Sequence, residues 1–324
     1  MNQLYKNQRY TFIKINSGIK NLNELKSNIL SKIYKQQFNA KEIEYDSNDE
    51  ETYFLYKWEN IDEESLTDAG MTCKFRYFSA IATCEFSTRK IRDDNKKLLP
   101  KKERLNLQKT EVIFAQKDSQ VFCIIYSFDN YELDRVRKLI GFSNIEPLPA
   151  VYQIVPEMFT WLFYKYITNN NDLGYCITIQ GITSFTGNIL SSENKFAGNS
   201  YVTPDLIITK AFLANNYSIT SVQLDIEVES SITSFYINQT STDNELRVMA
   251  LKGSVADVLL DSGNELHIMP IYILFNIIPK IFKKYTEEID DFENNKKKSF
   301  LSVLGVEVVK QIMARNNLTI DDIK

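Results

Sequence analysis

Between Ile145 and Pro156 the chain reads IEPLPAVYQIVP, with prolines at 147, 149 and 156. Proline has no backbone N–H and holds φ at about −65°, so neither a helix interior nor a central strand passes through such a stretch. A domain boundary is therefore expected near Pro149, with residues 1–148 as one domain and 149–324 as the other. Each half is long enough to bury a core, because 44% of the 324 residues are hydrophobic. Charged residues at 25%, together with 18 Tyr, 20 Phe and 2 Trp, exclude an intrinsically disordered chain.

In the first half, apolar alternation predicts strands at 9–15, 52–58, 72–88, 111–116 and 120–127. The phase slips within 72–88: Cys73, Phe75 and Tyr77 share one parity and Phe78, Ala80, Ala82, Cys84 and Phe86 the other, which predicts a bulge near Tyr77 or Phe78. Val121 to Tyr126, VFCIIY, is apolar throughout and reads as a central strand covered on both faces. Leu22, Leu25, Ile29 and Ile33 recur at helical spacing behind Asn21 and Glu24, predicting a capped helix over 22–38. A second helix, capped by Asp129 or Asn130, carries Leu133, Val136 and Ile140 inward and ends at Gly141.

The second half opens with a helix at 156–167 whose apolar residues cover nearly its whole circumference, either a core element or a contact surface. A strand at 175–185 interrupted at Gly181, a Ser/Asn/Gly-rich loop to 200, and a helix capped by Thr203 with Pro204 in its first turn follow. Val222, Leu224, Ile226 and Val228 alternate with Gln223, Asp225, Glu227 and Glu229, which opens a meander through 232–238 and 246–251 with a turn at 240–244. Helices at 272–292, kinked by Pro279, and 300–314 close the chain. The expected class is α+β: two domains, antiparallel sheets each covered by helices.

One segment points outward. Residues 89–109, RKIRDDNKKLLPKKERLNLQK, hold nine basic residues against Asp93, Asp94 and Glu103, a local charge of +6 in a chain whose net charge is −4. An anionic partner is the natural match, with Arg89, Lys90, Arg92, Lys96, Lys97, Lys101, Lys102 and Arg104 as candidate phosphate contacts. Tyr77, Phe78 and Phe86 on the adjoining strand are candidate stacking faces. Charge runs are not specific, so a solvated loop, and an arm docked on an acidic surface of the protein itself or of a partner, stay open beside nucleic acid.

Other chemistry is narrowed by what the residues cannot supply. His267 is the single histidine and sits between Leu266 and Ile268, so the reading assigns no catalytic residue and treats it as a packed imidazole. None of the 10 glycines falls in a phosphate-cradling motif, and no cofactor is expected. Cys73, Cys84, Cys123 and Cys176 form no CxxC pair and read as free, mostly buried thiols, with no metal site. Asp205, Asp225 and Glu227 are spaced for a Mg²⁺-dependent nuclease, yet Val228 stands where a lysine belongs, and a solvated sheet face accounts for these acids.

The first fifteen residues lack the layout of a signal peptide, and the longest apolar run, 268–278, is short and carries Pro270 and Asn276. A cytoplasmic protein without membrane insertion is expected. The order of a strand-rich front half, a proline junction and a helix-meander-helix back half resembles single-gene bacterial accessory proteins, phage-exclusion proteins among them, which implies antiviral defence as a setting. The residues favour a non-enzymatic DNA- or RNA-binding protein. The alternative is a subunit of a homo- or hetero-oligomeric assembly, joined through the helix at 156–167 and the helix at Pro279, with a nuclease as the third reading.

Overall fold

Helix and strand both run through the chain, and among the described residues the strand pairings within each compact unit are antiparallel. The computed structural model describes residues 4, 6–67, 75–190, 194–228, 231–240, 244–255 and 265–323. Cys73, Glu229 and most of the expected turn at 240–244 lie outside them. The chain divides into two compact units, Arg9–Leu148 and Met1–Gln8 with Pro149–Lys324.

In the unit Arg9–Leu148 the strands are β1 (Gln8–Ile15), β2 (Tyr34–Gln37), β3 (Tyr53–Glu59), β4 (Ser65–Thr67), β5 (Phe75–Ser87), β6 (Leu105–Lys117), β7 (Gln120–Ile125) and β8 (Ile145–Glu146). They lie in the order β1-β7-β6-β5-β3-β2, with β4 paired to β5 and β8 to β1. The apolar run of β7 is buried at every residue from 121 to 125 and sits between β1 and β6, as its lack of alternation requires. Lys117 pairs with Gln120 to close the β6–β7 hairpin, and Asp118 supplies the positive φ, 54°, that a two-residue turn needs. One face is covered by α1 (Leu22–Leu25), which continues into a π turn (Lys26–Leu30), and by α2 (Asn130–Ile140). Leu133, Val136, Leu139 and Ile140 of α2 are buried, each contributing about 1.5–3 kcal/mol by leaving water.

Two expectations for this unit are corrected. The helix predicted over 22–38 keeps its cap, Asn21 accepting from the Glu24 N–H at 2.9 Å, but ends by Ser31. Tyr34–Gln37 instead pair with β3, where the Tyr34 ring meets Tyr56 at 5.4 Å, and Ile33 is left exposed. The polar alternation of YKQQ suits a half-covered strand, and tertiary pairing overrides the helical spacing. In β5 no bulge exists near Tyr77: its register with β6 is unbroken from Arg76↔Gln116 to Ser87↔Leu105. Tyr77 and Phe78 are both buried, so the slipped phase records a stretch covered on both faces.

The other unit contains α3 (Pro156–Ile167), β9 (Asp172–Gly174), β10 (Ile177–Asn188), β11 (Lys195–Asn199), α4 (Ile207–Ala214), β12 (Ser218–Val228), β13 (Ser231–Asn238), β14 (Leu246–Ala250), α5 (Glu265–Tyr272), α6 (Ile278–Asp291) and α7 (Lys297–Asn316). Its strands run β11-β10-β12-β13-β14, with β9 on β10. α3 packs on β12 and β10, burying Met158, Phe159, Trp161, Leu162 and Phe163, so its all-round apolar surface belongs to a core. Pro279 falls in the first turn of α6, directly after a π turn at Ile273–Ile277. The Ser/Asn/Gly-rich loop holds β11, and Thr203 caps no helix: its hydroxyl donates to the Thr183 carbonyl at 2.8 Å. Among the described residues no helix is long and apolar enough to cross a membrane.

Candidate nucleic-acid interface

The basic segment links β5 to β6, and its last residues, 105–109, are themselves strand. Thr88 N–H donates to the Arg104 carbonyl at 2.9 Å, carrying the β5–β6 ladder one step into the arm. Arg92 then bridges to Leu98, and Leu99 N–H donates to the Ile91 carbonyl at 3.0 Å. At the tip, Lys96 N–H closes on the Asp93 carbonyl at 3.0 Å and Lys97 N–H on Asp93 Oδ1 at 2.8 Å. Lys96 occupies the left-handed region at φ 63°, where glycine or asparagine is the usual occupant. The arm is thus a closed hairpin-like loop.

Three of its cations are tied to other parts of the unit. Arg92 donates from both terminal nitrogens to Glu42, at 2.6 and 2.9 Å, and that hydrogen bonding holds the Glu42 carboxyl below its usual range. Lys101 pairs with Glu85 at 2.7 Å and lies 4.9 Å from the Tyr53 ring centroid, while its backbone N–H donates to Glu51 Oε2 at 2.7 Å. Arg104 is fully buried: Nε donates to the Leu99 carbonyl at 2.9 Å, Nη2 to the Glu51 carbonyl at 2.5 Å and its carboxylate at 3.1 Å, and the guanidinium lies 4.0 Å over Phe38. These are anchors, and Arg104 in particular cannot reach a phosphate without leaving the interior.

The other five face solvent. Lys90 holds Asp94 at 3.2 Å in a pair so exposed that it contributes little. Arg89, Lys96, Lys97 and Lys102 are exposed, and among the described residues none has a carboxylate within salt-bridge distance. From 89 to 104 eight cations face three acids, an excess of five; docking on Glu42, Glu51 and Glu85 lowers it to two. The expected stacking faces are not offered, because Tyr77 and Phe78 are buried and Phe86 is covered by Arg135 at 4.0 Å.

No protein-family model matches the chain, and no curated protein matches it in sequence.

The anchors Glu42 and Glu51 bound an acidic stretch of the chain, 42–51. Opposite charge on two segments of one chain was the available signal for their docking. Elsewhere, the acids considered for metal chemistry are not assembled: Asp225 lies beside Gly181, Glu227 bonds Gln180, and Asp205 is exposed in a 3₁₀ turn. Among the described residues no three His, Cys, Asp or Glu are grouped to hold a metal ion. His267 is half-buried on α5. Burial pushes the Cys84 thiol up to about 12 and Cys123 well above its usual value, whereas Cys176 is exposed in the β9–β10 turn at φ 60°.

Proposed function

We propose that this chain binds the phosphate backbone of DNA or RNA without reading sequence, and that the docked arm of the first unit is the contact. The observation that supports this is the division of labour within the arm: Arg92, Lys101 and Arg104 fasten it, and Arg89, Lys96, Lys97 and Lys102 project without partners. A fastened loop loses little conformational freedom on binding, so few charges suffice for a measurable complex. On this reading the two units are two domains of a cytoplasmic protein, and binding proceeds without catalysis.

Four phosphate contacts give a plot of log K against log salt with a slope of about −3 to −4 on duplex DNA, shallower on single strands. Fluorescence anisotropy with duplex DNA, single-stranded DNA and RNA between low and physiological salt measures it. The quadruple variant Arg89→Gln, Lys96→Gly, Lys97→Gln, Lys102→Gln is expected to lose binding; equal retention by both proteins would remove the arm from the reaction. Including Mg²⁺ in the same incubations distinguishes a binder, which leaves the oligonucleotide intact, from a nuclease.

One observation favours the second reading, a subunit in a homo-oligomer. The helix expected to carry such contacts, α3, is interior, but α7 exposes Val303, Val306, Val309 and Ile312 to solvent at 44–53%. Light scattering that returns a dimer dissociated by Val306→Lys supports it; a monomer of 37.7 kDa counts against it.

A further inference from the structure

The β6–β7 ladder stops at Val112↔Ile125, with one more bond from Tyr126 N–H to the Glu111 carbonyl at 3.0 Å. Ser127 then turns the chain, its N–H on the Ile125 carbonyl at 2.8 Å, and Asp129 caps α2. β6 continues without β7, paired with β5 alone as far as Ser87↔Leu105. Among the described residues no strand pairs with the other edge of β6 over residues 105–110.

The direction of its main-chain groups follows from the strand period of two. Glu111 turns its carbonyl toward β7, whereas Arg104 turns its carbonyl toward β5, accepting from Thr88. Lys109, Leu107 and Leu105 therefore present N–H and C=O to the open edge, and Gln108 and Asn106 bond to β5. Between this edge and the start of α2 lies an open cleft of about 510 Å³, bordered by Phe86, Leu107, Lys109, Tyr131 and Arg135. Leu107 is 55% and Tyr131 77% exposed, large apolar groups left in water beside unpaired backbone.

The cleft is not selective for an anion. Lys109 and Arg135 are balanced there by Asp129 and Glu132, and Arg135 is already held by Gln108 and Phe86. What stands in excess is a row of backbone donors and acceptors at strand spacing, which only another extended backbone can match along its length. Leu107 and Lys109 share one face, two residues apart, and the Lys109 side chain is 58% exposed, its one ion pair among the described residues the long contact with Glu59 at 3.9 Å. A strand added here sets alternate side chains beside them, apolar next to Leu107 and acidic next to Lys109.

We infer that the free β6 edge and its cleft accept an extended segment of a partner protein as an added strand, one that carries an apolar and an acidic residue two positions apart. The site uses none of the eight cations at 89–104, only Lys109 at the end of the basic segment, and the inference stands whether or not those eight bind nucleic acid.

The probe is a fluorescein-labelled octapeptide in which threonines alternate with valines and glutamates, titrated by anisotropy. Saturable binding is expected, weakened about tenfold or more when the peptide's edge-facing amides are N-methylated. Leu107→Pro removes an N–H that points away from β5, so the β5–β6 ladder survives while binding is lost. Lys109→Glu keeps every backbone group and is expected to shift preference to a peptide with lysines in place of the glutamates. Absence of binding by wild type, or binding indifferent to N-methylation and to Lys109→Glu, overturns the inference. So does a wild-type dimer that Leu107→Pro converts to monomer, since the edge would then belong to a second copy.

Discussion

Replacing Arg104 by alanine tests whether the arm is a fixed structural element. The substitution removes charge-assisted hydrogen bonds to the Leu99 and Glu51 carbonyls and the contact with Phe38. Hydrogen bonds from a charged donor contribute about 1.5–3 kcal/mol each, and a desolvated cation–π contact about 2 kcal/mol. These do not simply add, because water entering the vacated space restores partners to both carbonyls. The Glu51 carboxylate is 49% exposed, so its ion pair adds about 1 kcal/mol at most. A net loss of about 2–4 kcal/mol follows, or about 10 °C in the melting temperature of a unit this size. Differential scanning fluorimetry reads the stability, and trypsin reads the arm, whose Lys96, Lys97 and Lys102 become cleavable once it is unpinned. Arg104→Met restores packing volume but no hydrogen bond and is expected to fall between wild type and alanine, while exposed Lys102→Met stays within about 0.5 kcal/mol of wild type. If Arg104→Ala costs less than about 1 kcal/mol and the arm keeps wild-type resistance to trypsin, Arg104 does not hold the arm in place.

Other consequences are sharper in sign than in size. Lys96→Gly relieves a left-handed conformation that costs a side chain about 1–2 kcal/mol and gives back part of that in unfolded-state entropy, so thermal stability holds or rises slightly while the salt slope for nucleic acid falls by about one. A loss above about 1 kcal/mol would contradict the assigned turn. Desolvation raises the Glu288 pKa, but hydrogen bonds from Lys284, Lys165 and Trp161 outweigh it and hold the carboxyl below its ordinary 4.5. Its contribution to stability is therefore present above pH 4.5 and lost as pH falls through the lowered value, so Glu288→Gln is expected to flatten the stability profile below pH 4.5; parallel profiles for the two proteins would refute this. A thiol reagent at pH 8 is expected to label Cys176 in the native protein and to reach Cys84 and Cys123 only on unfolding, as peptide mapping would show.

Short-range physics made much of the fold legible in the residues alone. The unbroken apolar run of β7 requires burial on both faces, and Gly141 ends α2 where a helix-breaking residue is expected to. What depended on distant partners was misread. The helical spacing of Leu22 to Ile33 is real, yet residues 34–37 join β3 because Tyr34 and Phe38 find Tyr56 and Phe54, neighbours that no local pattern contains. The phase slip in β5 looked like a bulge because periodicity cannot distinguish an extra residue from a second covered face.

The candidate site divides in the same way. Sequence alone established that residues 89–104 carry a dense positive charge, since charge is a property of composition. Which of those charges remain available was decided by Glu42, Glu51, Glu85 and Phe38, brought in from 16 to 66 residues' distance in the chain, and Coulomb attraction between such segments becomes strong only once folding has set their separation. The open edge of β6 is likewise invisible in the residues: whether a strand has a neighbour depends on where the next strand stops, and Ser127 stops β7 through a turn that only the tertiary structure shows.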